Sequence, residues 1–65
     1  MLHKDYSIEI IRGRITNRGV ESYAVATHLD NGHIISGDIR DTPKLALNNV
    51  RAKIEDYLLI QEKNV

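Results

Sequence analysis

Two histidines and an aspartate lie close together in the sequence, and their types suit metal binding. His28, Asp30 and His33 surround the tip of a predicted hairpin and fall on one face of it. Imidazole and carboxylate groups together form a ligand set for zinc or nickel. The spacing matches no recognised metal motif, and His and Asp are also common turn residues. We therefore interpret the three as solvated turn residues and expect no metal or other cofactor.

The groups that perform acid–base and nucleophilic chemistry are dispersed along the chain. Five carboxylates are spread over both faces and both ends of the predicted fold: Asp5, Glu9, Asp38, Asp41 and Glu55. No pair of them is expected to share a site, as general acid–base or two-metal chemistry requires. The serines lie in no nucleophile motif, and the glycines form no phosphate-binding loop. The sequence therefore predicts a protein that is not an enzyme.

Four arginines suggest a different chemistry, the binding of phosphate groups. Arg12, Arg14 and Arg18 lie on the first predicted hairpin, and Arg40 leaves the sheet near the same end. Such a patch suits DNA or RNA binding by a sheet, as in the arm-binding domains of phage-type integrases. Nine basic residues balance nine acidic ones, however, and Trp and Phe are absent. Nucleic-acid binding is therefore the alternative hypothesis, and a solvated, arginine-rich strand edge that prevents strand pairing is the simpler interpretation.

The length and composition limit how the chain can be stabilised. Residues 1–65 form one small domain, and domains below about 70–80 residues rarely gain more than about 3–5 kcal/mol from their core. Cys is absent, so neither a disulfide nor a thiolate metal site can compensate. Oligomerisation remains, and we expect a homodimer. The first residues lack the apolar core of a signal peptide and no apolar run approaches a membrane span, so we expect a cytoplasmic location.

Three stretches of alternating apolar and polar residues predict three strands. They run from about Tyr6 to Ile15, from Glu21 to Asp30 and from His33 to Ile39. Gly19 is placed where a three-residue hairpin loop needs a left-handed residue. Asn31-Gly32 suits the two positive φ angles of a type I′ turn. Two hairpins therefore join the strands into an antiparallel sheet.

A helix follows the sheet. Thr42 is a good N-cap, and Pro43 fits the first helical position. The apolar stripe, which steps by three and four residues, contains Leu47, Val50, Ile54, Tyr57 and Leu58, with Ala46 beside it. The sequence thus predicts an α+β fold, with a three-stranded antiparallel sheet followed by one C-terminal helix packed on one face.

The predicted register divides the sheet into two apolar faces. The turn at Asn31-Gly32 places Leu29 opposite Ile34, Ala26 opposite Gly37 and Ala24 opposite Ile39, while the first loop pairs Thr16 with Val20. The helix is expected to cover Ile8, Ile10, Ala24, Ala26, Ile35, Gly37 and Ile39. The opposite face collects Ile11, Ile15, Tyr23, Val25, Leu29 and Ile34.

Such a face is too apolar to be left in water on a monomer. We therefore predict that Ile11, Tyr23, Val25, Leu29 and Ile34 contact a second copy or another protein. Isolated surface apolar residues that need no partner are the alternative.

The stretch "GDIRDTPKLALNNVRAKIEDYL" resembles the strand-to-helix segment of HicB-type antitoxins. The matching positions are Gly37-Asp38, Thr42, Ala46-Leu47 with Asn48 or Asn49, and Tyr57-Leu58, preceded by Tyr23 to Val25 in the second strand. The resemblance covers Tyr23 to Leu58. A tight Asn-Gly turn replaces the family's Pro-rich segment, and the sequence contains no match to its C-terminal DNA-binding domain, so operator binding is not expected.

The resemblance implies a partial, degenerate RNase H-like fold that blocks an RNA-cleaving toxin by direct contact, as a dimer or a larger assembly. It also implies that no carboxylate is catalytic. We therefore predict a non-enzymatic protein-interaction module, either an antitoxin-like inhibitor or a phage- or plasmid-type inhibitor of a host protein.

Overall fold

The computed structural model describes residues 1–63, which form one antiparallel sheet and one helix. The sheet has the order β1 (Leu2–His3), β2 (Tyr6–Thr16), β3 (Gly19–His28) and β4 (Ile34–Ser36), and helix α1 spans Pro43–Lys63. Strands β2 and β3 are the two main strands, and α1 packs against the sheet. The predicted α+β fold is confirmed, with one short edge strand, β1, in addition to the three predicted strands. Within residues 1–63, α1 is not apolar enough to cross a membrane.

Strand β1 exists because a tight turn reverses the chain immediately before β2. Lys4 and Asp5 both have positive φ angles, of 50° and 66°. Two consecutive positive φ angles allow a two-residue hairpin turn that follows the natural twist of the strands. The backbone oxygen of Asp5 accepts a hydrogen bond from the Leu29 amide at 2.9 Å, which ties this turn to the next loop. The sequence did not predict this strand because Lys-Asp is not a typical dipeptide for such a turn.

The first hairpin loop is one residue shorter than predicted. Gly19 has the expected positive φ, of 134°, but Thr16 pairs with Gly19 rather than with Val20. The Thr16 hydroxyl donates to the Gly19 carbonyl at 3.2 Å and accepts from the Arg18 amide at 3.1 Å. These two bonds stabilise the shorter loop.

A β-bulge in β2 changes the face on which Ile15 lies. The register shifts between Arg12 and Ile15, so Ile15 pairs with Val20, on the face that includes Ser22. One extra residue in a strand reverses the facing of all the residues after it. The predicted position of Ile15, on the face opposite the helix, is therefore wrong, and its side chain is exposed.

The second hairpin has a four-residue loop, and the predicted two-residue turn at Asn31-Gly32 is wrong. The His28 amide donates to the His33 carbonyl at 2.8 Å, which closes the loop around residues 29–32. Nδ1 of His28 accepts the amides of Asp30 and Asn31 at 3.1 and 3.4 Å, and the Asn31 side-chain oxygen accepts the His33 amide at 2.8 Å. Side-chain acceptors thus satisfy the loop amides and favour the longer loop.

The longer loop moves β4 by two residues relative to the prediction. Ile34 pairs with Thr27 rather than lying opposite Leu29, and Ala26 pairs with Ile35 rather than Gly37. A shift of two residues keeps every side chain on its predicted face, because side chains alternate with a period of two.

The chain beyond β4 departs from regular pairing. The Gly37 amide donates to the Ala24 carbonyl at 2.8 Å, and Arg40 forms an isolated antiparallel bridge with Ser22. The contact of Gly37 with Ala24 continues the register of β4, but Gly37 and Arg40 are three positions apart while Ala24 and Ser22 are only two apart. The segment after β4 therefore contains one extra residue. Ile39 is therefore 69% exposed and does not join the helix-covered face, contrary to the prediction.

The core lies between the sheet and α1, as predicted. Its buried residues are Tyr6, Ile8, Ala24, Ala26, Val50 and Ile54, with Ile10, Ile35, Leu47 and Leu58 packed around them. Alanines at the centre of the sheet allow the helix to approach closely. The Thr42 hydroxyl accepts the Leu45 amide at 3.2 Å, which confirms Thr42 as the N-cap.

Candidate binding surface

The sheet face that points away from α1 carries an uncovered cluster of apolar side chains, which we call the outer patch. It consists of Ile11, Tyr23, Val25 and Ile34. Ile11 and Tyr23 are direct neighbours across β2 and β3, Val25 follows Tyr23 on the same face, and Ile34 lies on β4. Tyr23 is 38% exposed and Ile34 is 60% exposed, whereas Ile11 and Val25 are half-buried. The strands therefore bring four of the five predicted contact residues onto one face.

The fifth predicted contact residue, Leu29, lies outside the sheet. It is in the loop after β3, where its side chain is exposed and its amide donates to the Asp5 carbonyl. Leu2 lies on the same face at its β1 edge, because it pairs with Ser7, whose side chain points away from α1. No sequence signal pointed to Leu2, since β1 depends on the Lys4-Asp5 turn.

The outer face is more mixed than the alternation predicted. Ser7, Glu9, Thr27 and Ser36 share it with the outer patch, because they pair with one another or with Val25 and Ile34. Three of these four carry small hydroxyl groups, and Glu9 is the charged one. Protein contact surfaces have a centre depleted of charges inside a polar rim, and Glu9, paired with Val25, is the one charged side chain beside the cluster.

The patch ends at a shallow depression beside the bulge. Its volume is about 170 Å³, and it is lined by Gly13, Arg14, Glu21, Ser22, Tyr23 and Ile39. Tyr23 thus joins the outer patch to the exposed side chain of Ile39.

Three of the four arginines of the alternative hypothesis are held by carboxylates. Arg14 lies 3.3 Å from Glu21, Arg18 lies 3.9 Å from Asp41, and Arg40 lies 3.5 Å from Asp38. These exposed pairs add little stability, but each carboxylate offsets the positive charge that phosphate binding would use. Arg12 on β2 and Arg40 in the segment after β4 pair with Ser22 from opposite sides of β3.

His28 and His33, interpreted from the sequence as solvated turn residues, are instead half-buried and take part in aromatic packing. The ring of His33 stacks on Tyr57 with centroids 4.5 Å apart, and its Nδ1 lies 3.1 Å from the Tyr6 hydroxyl. The His28 ring meets the Tyr6 ring edge-on at 5.0 Å. Desolvation, followed by the nearby Tyr57, raises the pKa of Tyr6 above its usual value. Across residues 1–63, no three His, Asp or Glu side chains are grouped closely enough to hold a metal ion.

A polar clamp, formed by Asp38, Asn49, Lys53 and Arg40, fastens the end of β4 to α1. The Asn49 side-chain oxygen accepts the Asp38 amide at 2.7 Å, and its NH₂ group donates to the Asp38 carboxylate at 3.2 Å. Lys53 donates to the same carboxylate at 3.1 Å. A Cβ on Gly37 would lie 2.8 Å from the Asn49 oxygen, so glycine permits this close approach. The Gly-Asp and Asn positions of the resemblance therefore meet in a structural contact.

The clamp predicts an acid-dependent loss of stability. The Lys53 hydrogen bond, then that of Asn49, lowers the pKa of Asp38. A carboxyl whose pKa is lowered by folding stabilises the protein above its unfolded pKa, near 4, and loses that contribution as the pH falls through its folded pKa. We expect Asp38→Asn to be less stable than the wild type at pH 7, and the difference to shrink below about pH 4. Urea unfolding at several pH values measures it, and a constant difference would contradict the assignment.

A scan against protein-family models, a search of curated proteins and a search of solved structures each found no match for this chain.

Proposed function

We propose that the protein is a non-enzymatic interaction module that binds another protein through the outer patch. The observation that carries this proposal is the position of Ile11, Tyr23 and Val25, which form an apolar cluster on the two main strands with no element over them within residues 1–63. The face is too small to be a core of its own and is bordered by short hydroxyl side chains. Tyr is enriched at the centre of protein contacts, whereas the face of an antiparallel sheet that is left in water is normally polar.

The chain is elongated and exposes somewhat more surface than a compact monomer of its size. The radius of gyration is 12.7 Å, compared with about 11 Å for a compact chain of this length. The accessible surface is 4621 Å², compared with about 4,200 Å² for a compact monomer of this mass. An isolated chain therefore leaves more surface in water than its size requires.

Within this class we propose an antitoxin-like inhibitor that acts in the cytoplasm by direct contact with its target. The support is the sequence resemblance to HicB-type antitoxins and the dispersal of the acidic side chains. Asp38 is held by the polar clamp and Glu55 lies 3.5 Å from Lys4, so both are used in surface contacts. The pairing of three arginines with carboxylates gives the nucleic-acid alternative no comparable support.

Replacement of Val25 by Asp tests the binding surface. Val25 is half-buried on the outer face and pairs with Glu9, so the new carboxylate costs some stability but should leave the helix-packed core folded while it disrupts an apolar contact. We expect affinity capture from the native host, with mass spectrometry, to recover a partner with the wild type and at least about tenfold less with Val25→Asp.

The matched control is Ala52→Asp, which places the same charge on an exposed position of α1. It should retain the partner. If the partner is a ribonuclease, the wild type and Ala52→Asp should inhibit its RNA cleavage and Val25→Asp should not. Equal capture by all three proteins would contradict the proposed surface.

A further inference from the structure

The edge of β2 that points away from β3 is the longest unpaired strand edge between residues 1 and 63. Strand β1 pairs only with Tyr6 and Ser7, and Met1 extends this contact to Ile8, whose amide donates to the Met1 carbonyl at 2.7 Å. The opposite edge of the main hairpin is better covered, since β4, Gly37 and Arg40 pair along β3 as far as Ser22. An open edge of this kind is a template for another strand.

The backbone groups on this open edge are fixed by the pairing of β2. The Ile8 amide and carbonyl both point toward Met1, away from β3. Hydrogen-bonding groups alternate sides along a strand, so the corresponding groups of Ile10 and Arg12 also point outward. The bulge after Arg12 ends the regular edge. Two residues on each chain therefore offer one donor and one acceptor each.

We propose that a second copy of this chain occupies the edge, with β2 antiparallel to β2 about a two-fold axis at Ile11. In this register Ile10 of each copy pairs with Arg12 of the other, and each pair exchanges two hydrogen bonds. The two Ile11 side chains meet directly on the outer face, in the closer, non-hydrogen-bonded position.

The ends of the free edge select this register over its neighbours. An axis at Ile10 would place Arg12 of the second copy opposite Ile8, where Met1 is already bonded. An axis at Arg12 would place the two Arg12 guanidinium groups opposite each other, and like charges in that position are destabilising. Residues 9–13 lie between Met1 and the bulge, and Ile11 is their midpoint.

A second copy suits this edge better than an unrelated peptide because the edge is complementary to itself. An isologous contact about a two-fold axis closes after two subunits, so it leaves no further edge for growth. The pairing would also supply the stability that a small, cysteine-free core lacks. The joined sheet places both outer patches side by side, which doubles the surface of the proposed function. The pairing of β2 does not itself depend on that function.

Cysteine crosslinking tests the axis directly, because the natural chain contains no cysteine. Ile11→Cys should form a disulfide-linked dimer under mild oxidation, since opposite Cα atoms in this position lie about 4.5 Å apart, within the disulfide range. The control, Tyr23→Cys, lies on the same face one strand inward, so its copies would be about 14 Å apart and should stay unlinked. Equal or greater linking of Tyr23→Cys would indicate face-to-face pairing and overturn the proposal.

Light scattering separates the edge from the outer patch. We expect the wild type at twice the 7.4 kDa chain mass, Arg12→Pro at the monomer mass because it removes an outward amide, and Val25→Asp still at the dimer mass. A monomeric wild type at high concentration overturns the dimer but leaves the partner-binding proposal standing. A dimeric wild type that captures no partner overturns the partner-binding proposal but leaves the dimer standing. If circular dichroism shows that Arg12→Pro unfolds, the crosslinking result decides.

Discussion

Replacement of Ile54 by Ala should remove most of the stability of the fold. Ile54 lies near the middle of α1, is fully buried, and belongs to the cluster that joins the helix to β2 and β3. Truncation of a buried isoleucine to alanine costs about 2–5 kcal/mol, because apolar contact is lost and a cavity remains. A domain of this size has only about 3–5 kcal/mol in total. We therefore expect Ile54→Ala to be partly unfolded at room temperature, as measured by circular dichroism in a urea titration.

Leu59→Ala is the matched control for this prediction. Leu59 lies on the same helix, five positions later, and its side chain is 51% exposed. The same kind of truncation there should change the free energy of unfolding by less than about 1 kcal/mol. A loss similar to that of Ile54→Ala would show that the C-terminal half of α1 is buried, which the structure of a single chain does not predict.

The faces of the elements could be predicted from the sequence because they depend on periodicity alone. The spacing of Val50 and Ile54 identified the buried side of α1, and the alternation around Ile8 and Ala24 identified the covered side of the sheet. In the second hairpin, the error in the predicted turn did not change the predicted faces of the side chains. The register of this hairpin moved by two residues, and a shift of two preserves the face of every side chain.

Single-residue irregularities could not be predicted in the same way. The bulge after Arg12 and the extra residue before Arg40 each reverse the facing of the neighbouring side chains, which moved Ile15 and Ile39 off their predicted faces. Gly13 lies in the bulge and is a sequence signal for it, since an isolated glycine in a strand often marks a bulge, but it does not give the resulting register. Beside the second irregularity, the Asn49 side-chain oxygen accepts the Asp38 amide across a separation of 11 residues. Such contacts between elements are invisible to local propensity.

The members of the outer patch on the sheet were predicted correctly, whereas the residue predicted at its border was not, because alternation holds only in regular parts of the strands. Tyr23, Val25 and Ile11 lie on regular parts of β2 and β3, where alternation is sufficient. Leu29 is in a loop whose length is set by the side chains of His28 and Asn31, so its predicted place on the strand was lost.

Replacement of Gly19 by Ala should also cause a large loss of stability, for two independent reasons. The φ angle of 134° is one that side chains other than glycine rarely adopt. A Cβ at this position would lie 2.9 Å from the Asp41 carbonyl oxygen and 2.9 Å from the Thr42 methyl group. Both atoms belong to the segment that begins α1, so the hairpin tip would have to move away from the helix start. Backbone strain of about 1–3 kcal/mol and overpacking of about 1–3 kcal/mol should combine.

Gly32→Ala separates these two causes. Gly32 also has a positive φ, of 75°, but a Cβ there would meet no atom within 4 Å. Its replacement should therefore cost only the conformational strain, about 1–2 kcal/mol. Urea unfolding of both variants should show Gly19→Ala to be the less stable by at least about 1 kcal/mol. Equal losses would mean that the contact between the first hairpin and the Asp41-Thr42 segment does not constrain the fold, and that the N-cap of α1 forms without support from the hairpin tip.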